Sequence, residues 1–500
     1  MLSARQYHMQ TAYFRERMVP HTLDWENQPA VFKRYANLRA IQLPRVPAVF
    51  SLPLSELTAR DHRGVVARSI LRERMASILG LSCSLTARAH HAGNDFYYRS
   101  VASAGALFPN EIYLVQGQAS DLTAGICHYA VDRQCLYALR PGSFGAYVRG
   151  AVHGLGGREP AAALLISAIF FRSAWKYRER AYRYVLLDGG HLLQNILLSI
   201  KALSLPLEST YDFDDFTANT LVGLDGRREA LLACVAIPAA EESETRDAPP
   251  IGPLAEDVQA ASRVARVEVA YEKIERIHKA GTAVRPVTGA AAMQERMGLS
   301  VKAWRSFDRS RPLADEGTYP EVLFRRRSRR NYVRRALPYA RFERLLDMLW
   351  TARGVDDPAG RENQKLLCIG FLGADIEDVA PGIYLLDDAQ RRFGMLTAGN
   401  FAKRMATVCL NQEWLAQAAV HFIFLTDLKQ LDETFGARGY RYAMLSAGRF
   451  GQMIYLACTA LGLGACGIGA FYDSEARQLI GLHADSALLY LVAAGSVKRL

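Results

Sequence analysis

Tyr182-Arg183-Tyr184, Gly190, Leu203, Phe213 and Gly223-Leu224 recur, in order and at the same spacing, as Tyr440-Arg441-Tyr442, Gly448, Leu461, Phe471 and Gly481-Leu482. The offset, 440 less 182, is 258 throughout, so the stretch 182–224 returns without a gap as 440–482. A repeat of this length exceeds the ~20–50-residue unit of a solenoid. It is the tail of a whole domain present twice. The two copies are expected at 52–238 and 320–500, with a head segment at 1–51 and a linker at 239–319. Within that linker, Glu241 to Pro250 is charged and proline-rich, and Leu254 to His278 has helical spacing without an internal proline. That helix is expected to tether the copies.

In the second copy the patterns predict a helix at Tyr339 to Trp350 and a strand at Lys365 to Phe371. A strand at Ala419 to Thr426, a long helix at Tyr440 to Leu461 and a last strand at Ala487 to Ala494 follow. The long helix is apolar nearly all round, the mark of a helix buried at a subunit or pseudo-subunit interface. The expected fold class is an α+β sandwich.

Five hundred residues, half of them apolar, suffice for several large cores. The longest uncharged apolar run, Ala161 to Phe171, is far short of the ~20 residues of a membrane helix. No apolar segment follows Met1-Leu2-Ser3-Ala4-Arg5-Gln6, so no secretory signal is visible and a cytoplasmic location is expected. The eight cysteines show no C-x-x-C pair and no zinc-like spacing; free buried thiols and no metal are expected. The net charge of +11 comes without aromatics interleaved among the basic runs, which argues against nucleic acid and suits an anionic cofactor or acidic peptide.

Gly462-Leu463-Gly464-Ala465-Cys466-Gly467 matches G-x-G-x-x-G but follows a helix instead of a strand. A dinucleotide fingerprint must open a helix, whose N-terminus receives the pyrophosphate. This match reads as a helix end leading into an extended loop.

Two other segments carry more. Phe324 to Tyr332 holds Arg325, Arg326, Arg327, Ser328, Arg329 and Arg330 just before a helix, a charge density suited to phosphate or to a solvated basic surface. Arg99-Ser100-Val101-Ala102-Ser103-Ala104-Gly105-Ala106-Leu107-Phe108-Pro109 is a small-residue loop entering a strand, where backbone can approach a flat ring closely. With the glycine turn 462–471, these segments resemble the FMN-binding nitroreductase superfamily, and within it the SagB-type dehydrogenases that form thiazoles and oxazoles in modified peptides. Further support comes from Leu23 to Pro29 with Phe32-Lys33, from Ala174-Trp175-Lys176-Tyr177, and from Cys409-Leu410-Asn411-Gln412-Glu413.

The resemblance implies a pseudodimer within one chain: tandem nitroreductase-like α+β sandwiches with FMN at their interface. It implies cofactor contacts from Arg326, Arg327, Ser328, Arg330, Arg99, Ser103, Ala104, Gly105, Ile468 and Gly469. Lys498 and Arg499 would add phosphate charge or simply fray. Tyr177 would be the base, with the Lys176 ammonium lowering its pKa. The counterparts have decayed unevenly: Glu56 to Arg60 stand opposite Arg326 to Arg330, Pro358 to Gln364 opposite Ser103 to Pro109, and Thr434-Phe435 opposite Lys176-Tyr177. One live FMN site per chain is therefore expected. The implied substrate is an azoline-bearing peptide or a carrier-bound heterocycle, and the implied partner is a cyclodehydratase complex. Two alternatives stay open: an NAD(P)H-consuming nitroreductase-like enzyme, and a non-catalytic flavin-binding scaffold.

Overall fold

The computed structural model describes residues 2–19, 21–45, 52–59, 70–91, 94–117, 125–152, 159–239, 251–283, 297–308, 313, 316–355, 366–387 and 390–498. Arg60, Arg499, the charged stretch 241–250 and the segment 358–364 lie outside these residues.

Two seven-stranded antiparallel sheets share one topology. The first half contributes β1 (Ala40–Gln42), β2 (Leu85–His91), β3 (Asn94–Arg99), β4 (Asn110–Gln116), β5 (Gly125–Ala130), β6 (Cys135–Pro141), β7 (Pro160–Ile169), β8 (Glu208–Thr210) and β9 (Glu229–Pro238). Its sheet runs β1-β6-β5-β4-β7-β9-β8, while β2 and β3 form a separate ribbon. The second half contributes β10 (Trp304–Ser306), β11 (Cys368–Gly373), β12 (Gly382–Asp387), β13 (Arg392–Ala398), β14 (Val420–Asp427), β15 (Gly464–Ile468) and β16 (Ser486–Gly495), in the order β10-β13-β12-β11-β14-β16-β15. Strands β7 and β14 are buried along their whole length, as continuous apolar runs covered on both faces must be.

The helices around the junction of the halves include α1 (Ala4–Gln10), α2 (Phe170–Tyr177), α3 (Ala181–Ala202), α4 (Glu272–Ala280) and α5 (Arg438–Ala460). Every residue of α3 is buried, as is nearly every residue of α5. The two cross at the repeated glycine pair. A Cβ on Gly190 would stand 2.0 Å from the Leu445 carbonyl oxygen, and one on Gly448 would stand 2.1 Å from that of Leu187. Only glycine lets the two backbones approach so closely, and one apolar core runs through both halves around this crossing.

The expected elements of the second copy are present within a few residues of their bounds, the first helix extending to Val355. The helix expected over 254–278 is not continuous. It forms as Glu256–Ala260 and α4, separated by an irregular stretch. Contacts from the head segment hold that stretch open: Asn27 exchanges hydrogen bonds with the Val267 backbone (2.6 and 3.0 Å), and the Ala30 amide donates to the Val264 carbonyl (2.8 Å). Tertiary bonds outweigh helical spacing here. Nor is α4 a bare tether. His278 on α4 meets the Tyr182 hydroxyl at 3.2 Å, as His8 on α1 meets that of Tyr440 at 3.0 Å. The head and linker segments thus do the same work for opposite halves, and β1 and β10 edge the two sheets alike.

Buried ion pairs lock the halves. Arg180 and Arg183, at the start of α3, bind Asp473 of the second half at 2.7 and 2.6 Å, and Arg180 also donates to the Gly469 carbonyl at 3.0 Å. At the same offset, Arg438 and Arg441 bind Asp215, and Arg438 donates to the Tyr211 carbonyl at 2.7 Å. Burial raises the Asp473 pKa, but the two guanidiniums more than offset it and hold the carboxyl well below its usual range. All eight cysteines are buried and unpaired. Among the described residues no helix is long and apolar enough to cross a membrane.

Candidate functional site

A cavity of about 220 Å³ lies where the halves meet. The first half lines it with Ala102 to Gly105, Tyr177, and one face of α3: Tyr184, Leu187, Asp188 and His191. That i, i+3, i+4, i+7 spacing puts all four on one side of a helix. The second half adds Ser328, Arg330, Gln412, Tyr455, Cys466 to Ala470, and Tyr490. Two larger grooves, about 450 and 410 Å³, hold none of the residues expected to be catalytic or to contact the cofactor. Convergence of functional groups, rather than volume, selects the smaller cavity.

Lys176 and Tyr177 end α2, and Arg178 follows at φ 50, ψ −136. This left-handed residue stops the helix so that Tyr177 turns into the cavity. Gly105, at φ 66, lies directly beneath: a Cβ there would be 2.8 Å from the Tyr177 hydroxyl and 3.4 Å from the Lys176 Nζ. The small-residue loop and the lysine-tyrosine pair, seventy residues apart in sequence, therefore form one surface.

Their electrostatics differ from the sequence expectation. Burial pushes the Tyr177 phenol up, the Asp188 charge adds to this, and Arg330 opposes it. Lys176 is pushed down, first by burial and then by Arg330. The pair does not make a phenolate sustained by an ammonium; it makes a protonated phenol beside an amine that gives up its proton more readily than usual.

The arginine run divides. Ser328 and Arg330 reach the cavity; Ser328 meets the Tyr455 hydroxyl at 3.1 Å, and that hydroxyl accepts from the Gly467 amide at 2.5 Å. Arg326 does not reach it. Its buried guanidinium donates to the carbonyls of Ser100 (2.9 Å) and Arg99 (2.9 Å), and burial lowers its pKa to about 10. It clamps the first half's loop rather than offering a free phosphate contact. Arg327 donates to the carbonyls of Phe324 and Arg326 and stands over Tyr98. Arg99 is buried, donates to the Val31 carbonyl at 2.6 Å and lies over Phe108. Lys498 is exposed, and its backbone bridges to Asn331. Ser103, Ala104, Gly105, Ile468 and Gly469 all line the cavity.

Several lining residues escaped the sequence reading. Asp188 accepts hydrogen bonds from Ser103 Oγ (2.6 Å) and the Ala104 amide (3.1 Å), while burial raises its pKa to about 7. His191 lies between Gln452 (2.7 Å) and Tyr490 (3.0 Å), and burial lowers its pKa to about 4, so it is neutral. The repeat itself held a signal for both: Asp188 falls on Ser446 and His191 on Arg449, so each copy carries a different polar residue at these places.

The pseudo-equivalent place in the other half is filled. Tyr211 stands where Gly469 stands at the cavity, and stacks on Tyr442 with ring centroids 5.8 Å apart and planes at 22°. Its hydroxyl meets Ser446 at 3.4 Å. Phe435, replacing Tyr177, packs edge-on against the same Tyr442.

Residues 374–496 match the nitroreductase family model. A protein of Methanocaldococcus jannaschii named as a nitroreductase is 28% identical over 184 residues, 36% of this chain and 91% of that protein. The trifolitoxin-processing protein TfxB of Rhizobium leguminosarum bv. trifolii is 27% identical over 153 residues, 29% of this chain and 41% of its own length. A crystal structure from Anabaena variabilis, also named as a nitroreductase, superimposes over 100% of both chains with a TM-score of 0.78 and 25% identity. The fold is α+β and nitroreductase-like over the full chain, in two halves.

Proposed function

We propose that the cavity between the halves holds a single FMN and that the chain uses it to oxidise azoline rings of a peptide to azoles. The observation that carries this reading is the pairing of Arg330 with Lys176 across the halves, facing a loop of small residues. Among the described residues the Arg330 guanidinium forms no ion pair with a carboxylate, and the neighbouring Lys176 amine, its ammonium disfavoured, adds no competing charge. A dianionic phosphate supplies the missing counter-charge, and a flat ring suits a wall of Ala104, Gly105, Gly467 and Gly469. The cavity is smaller than the ~300–1,000 Å³ of typical ligand sites, so a ligand of this size fills it and extends beyond it.

When bound, FMN would supply the hydride acceptor, and that chemistry is the cofactor's own. Azoline oxidation removes a proton and a hydride from adjacent ring carbons. Lys176, with its ammonium disfavoured by burial and by Arg330, is the better proton acceptor; Tyr177 keeps its proton and donates a hydrogen bond. The relation to TfxB, whose name concerns toxin processing, supports a peptide substrate. An azoline substrate in turn requires a cyclodehydratase partner to make it.

The test is flavin bleaching under anaerobic mixing with a thiazoline peptide, followed across pH. The expected rate falls by ~10²–10⁴ in both Lys176→Met and Tyr177→Phe, with FMN retained. The alkaline rise in rate should vanish only in Lys176→Met. If it vanishes only in Tyr177→Phe, the tyrosine is the base after all. Rapid bleaching by NADPH and none by any azoline would replace this reading with a nitroreductase-like one.

A further inference from the structure

The turn at 103–108 is held in a conformation its residues do not favour. Gly105 (φ 66), Ala106 (φ 54) and Phe108 (φ 46) all occupy the left-handed region, which is open to glycine but unfavourable for alanine and phenylalanine. Strain of this kind persists only where the surroundings over-determine it. Arg172 donates to the Phe108 carbonyl at 2.9 Å at one end of the turn, and a carboxylate holds the other. Ser103 Oγ accepts from the Phe108 amide at 2.9 Å and donates to Asp188 at 2.6 Å, closing the turn on itself and fastening it to α3. The Ala104 amide donates to both oxygens of the same carboxylate at 3.1 Å.

Asp188 is an expensive way to do this. It is 6% exposed, and no cation forms an ion pair with it among the described residues. A buried carboxyl without a counter-ion opposes folding when ionised. The matched position in the other half is Ser446, a neutral residue, whose hydroxyl meets that of Tyr211 at 3.4 Å. The carboxylate accompanies the cavity, not the fold.

We infer that Asp188 is a positioning residue for this cavity: through Ser103 and the Ala104 amide it sets the 103–108 turn, and the turn, through Gly105, sets where the Tyr177 hydroxyl and the Lys176 amine stand. The link is steric. Gly105 packs so closely under both side chains that a displaced turn displaces them. The inference rests on the cavity being the reaction site, and adds a residue that the sequence motifs do not mark.

Hydrogen–deuterium exchange on the flavin-free chain tests the first half of it. In Asp188→Ala the Ala104 and Phe108 amides should exchange about 10-fold faster, the equivalent of one lost hydrogen bond, while amides of β4 and β7 keep their protection. Asp188→Asn, which retains an acceptor oxygen, should lie within about threefold of the wild type. Ser103→Ala leaves the carboxylate in place and should release Phe108 alone. Unchanged exchange at both amides in Asp188→Ala would overturn the inference. The second half is read from kinetics: azoline oxidation should fall about 100-fold in Asp188→Ala with FMN still bound, as misplaced groups cost rate rather than binding, and recover in part in Asp188→Asn. A loosened turn with an unchanged rate would overturn the positioning role. Because the exchange experiment uses neither flavin nor substrate, its result stands apart from the assignment of the reaction.

Discussion

The two ends of the pseudo-twofold axis keep the same clasp and different contents. Around each, an arginine pair at the start of one long helix grips an aspartate from the opposite half and a backbone carbonyl beside it: Arg180 and Arg183 with Asp473 and Gly469, Arg438 and Arg441 with Asp215 and Tyr211. Inside the clasp the residues diverge. One end has Gly469, Tyr177, Asp188 and an open cavity; the other has Tyr211, Phe435, Ser446 and stacked rings. What survives in both copies holds the halves together. Among what survives in only one are Tyr177, Asp188 and Gly469, which line the cavity. A duplicated chain thus separates structural residues from functional ones without any second sequence for comparison.

That separation predicts symmetry for the clasp. Asp215→Ala and Asp473→Ala each leave two buried guanidiniums without their carboxylate, and breaking buried pairs costs about 3–5 kcal/mol. Urea denaturation should show losses of similar size for the two variants. A loss confined to Asp473, on the cavity side, would mean that the clasp belongs to the site and that the comparison is drawn in the wrong place.

The contents should be asymmetric. Gly469→Tyr imposes on the open end the residue that fills the closed one, and a Cβ there would already stand 2.6 Å from the Tyr184 ring. Flavin affinity should fall on the order of 100-fold, equivalent to the upper range of an overpacking penalty, as read by titrating the apoprotein with FMN. Tyr211→Gly should not create a second site, because Glu56 to Ala59, which stand opposite Arg326 to Arg329, carry no guanidinium. Two FMN bound per Tyr211→Gly chain would show that Tyr211 alone separates the two ends.

Much of this was legible in the sequence, for identifiable reasons. The 258-residue offset revealed the duplication because the long-helix positions that must stay buried and glycine-sized, such as Gly190 and Gly448, tolerate little change. Ser328, Arg330 and Gly105 belong to local motifs and reach the cavity. Arg326 belongs to the same motif, yet its guanidinium turns to carbonyls of the other half, a choice fixed by tertiary geometry that a linear motif does not encode. The direction of the Tyr177 shift was likewise hidden, since it depends on burial and on Asp188, which no motif brings near it. The broken helix over 254–278 has the same cause: its partners, Asn27 and Ala30, lie far away in sequence.

The smallest expected effect sharpens the comparison most, because only one end carries the titrating group. Asp188 has its folded-state pKa raised from 3.8 to about 7. A raised carboxyl favours the folded state while protonated, so its contribution is fully present below pH ~4 and is lost as pH rises through ~7. Tyr177 from α2, His191 on the same helix and Tyr490 from β16 face this carboxyl. The two phenols are pushed up and the imidazole down, so all three stay neutral across the window. Asparagine carries no such proton. The stability of the wild type relative to Asp188→Asn should therefore fall by about 1 kcal/mol per pH unit between pH 5 and 7 and level off above. Thermal or urea unfolding of the two proteins at half-unit pH steps measures it. Ser446→Ala, at the closed end, should give a pH-independent difference from the wild type. A flat difference for Asp188→Asn would mean that its carboxyl ionises in the folded chain as it does in water, and that the cavity wall is wetter than its burial indicates.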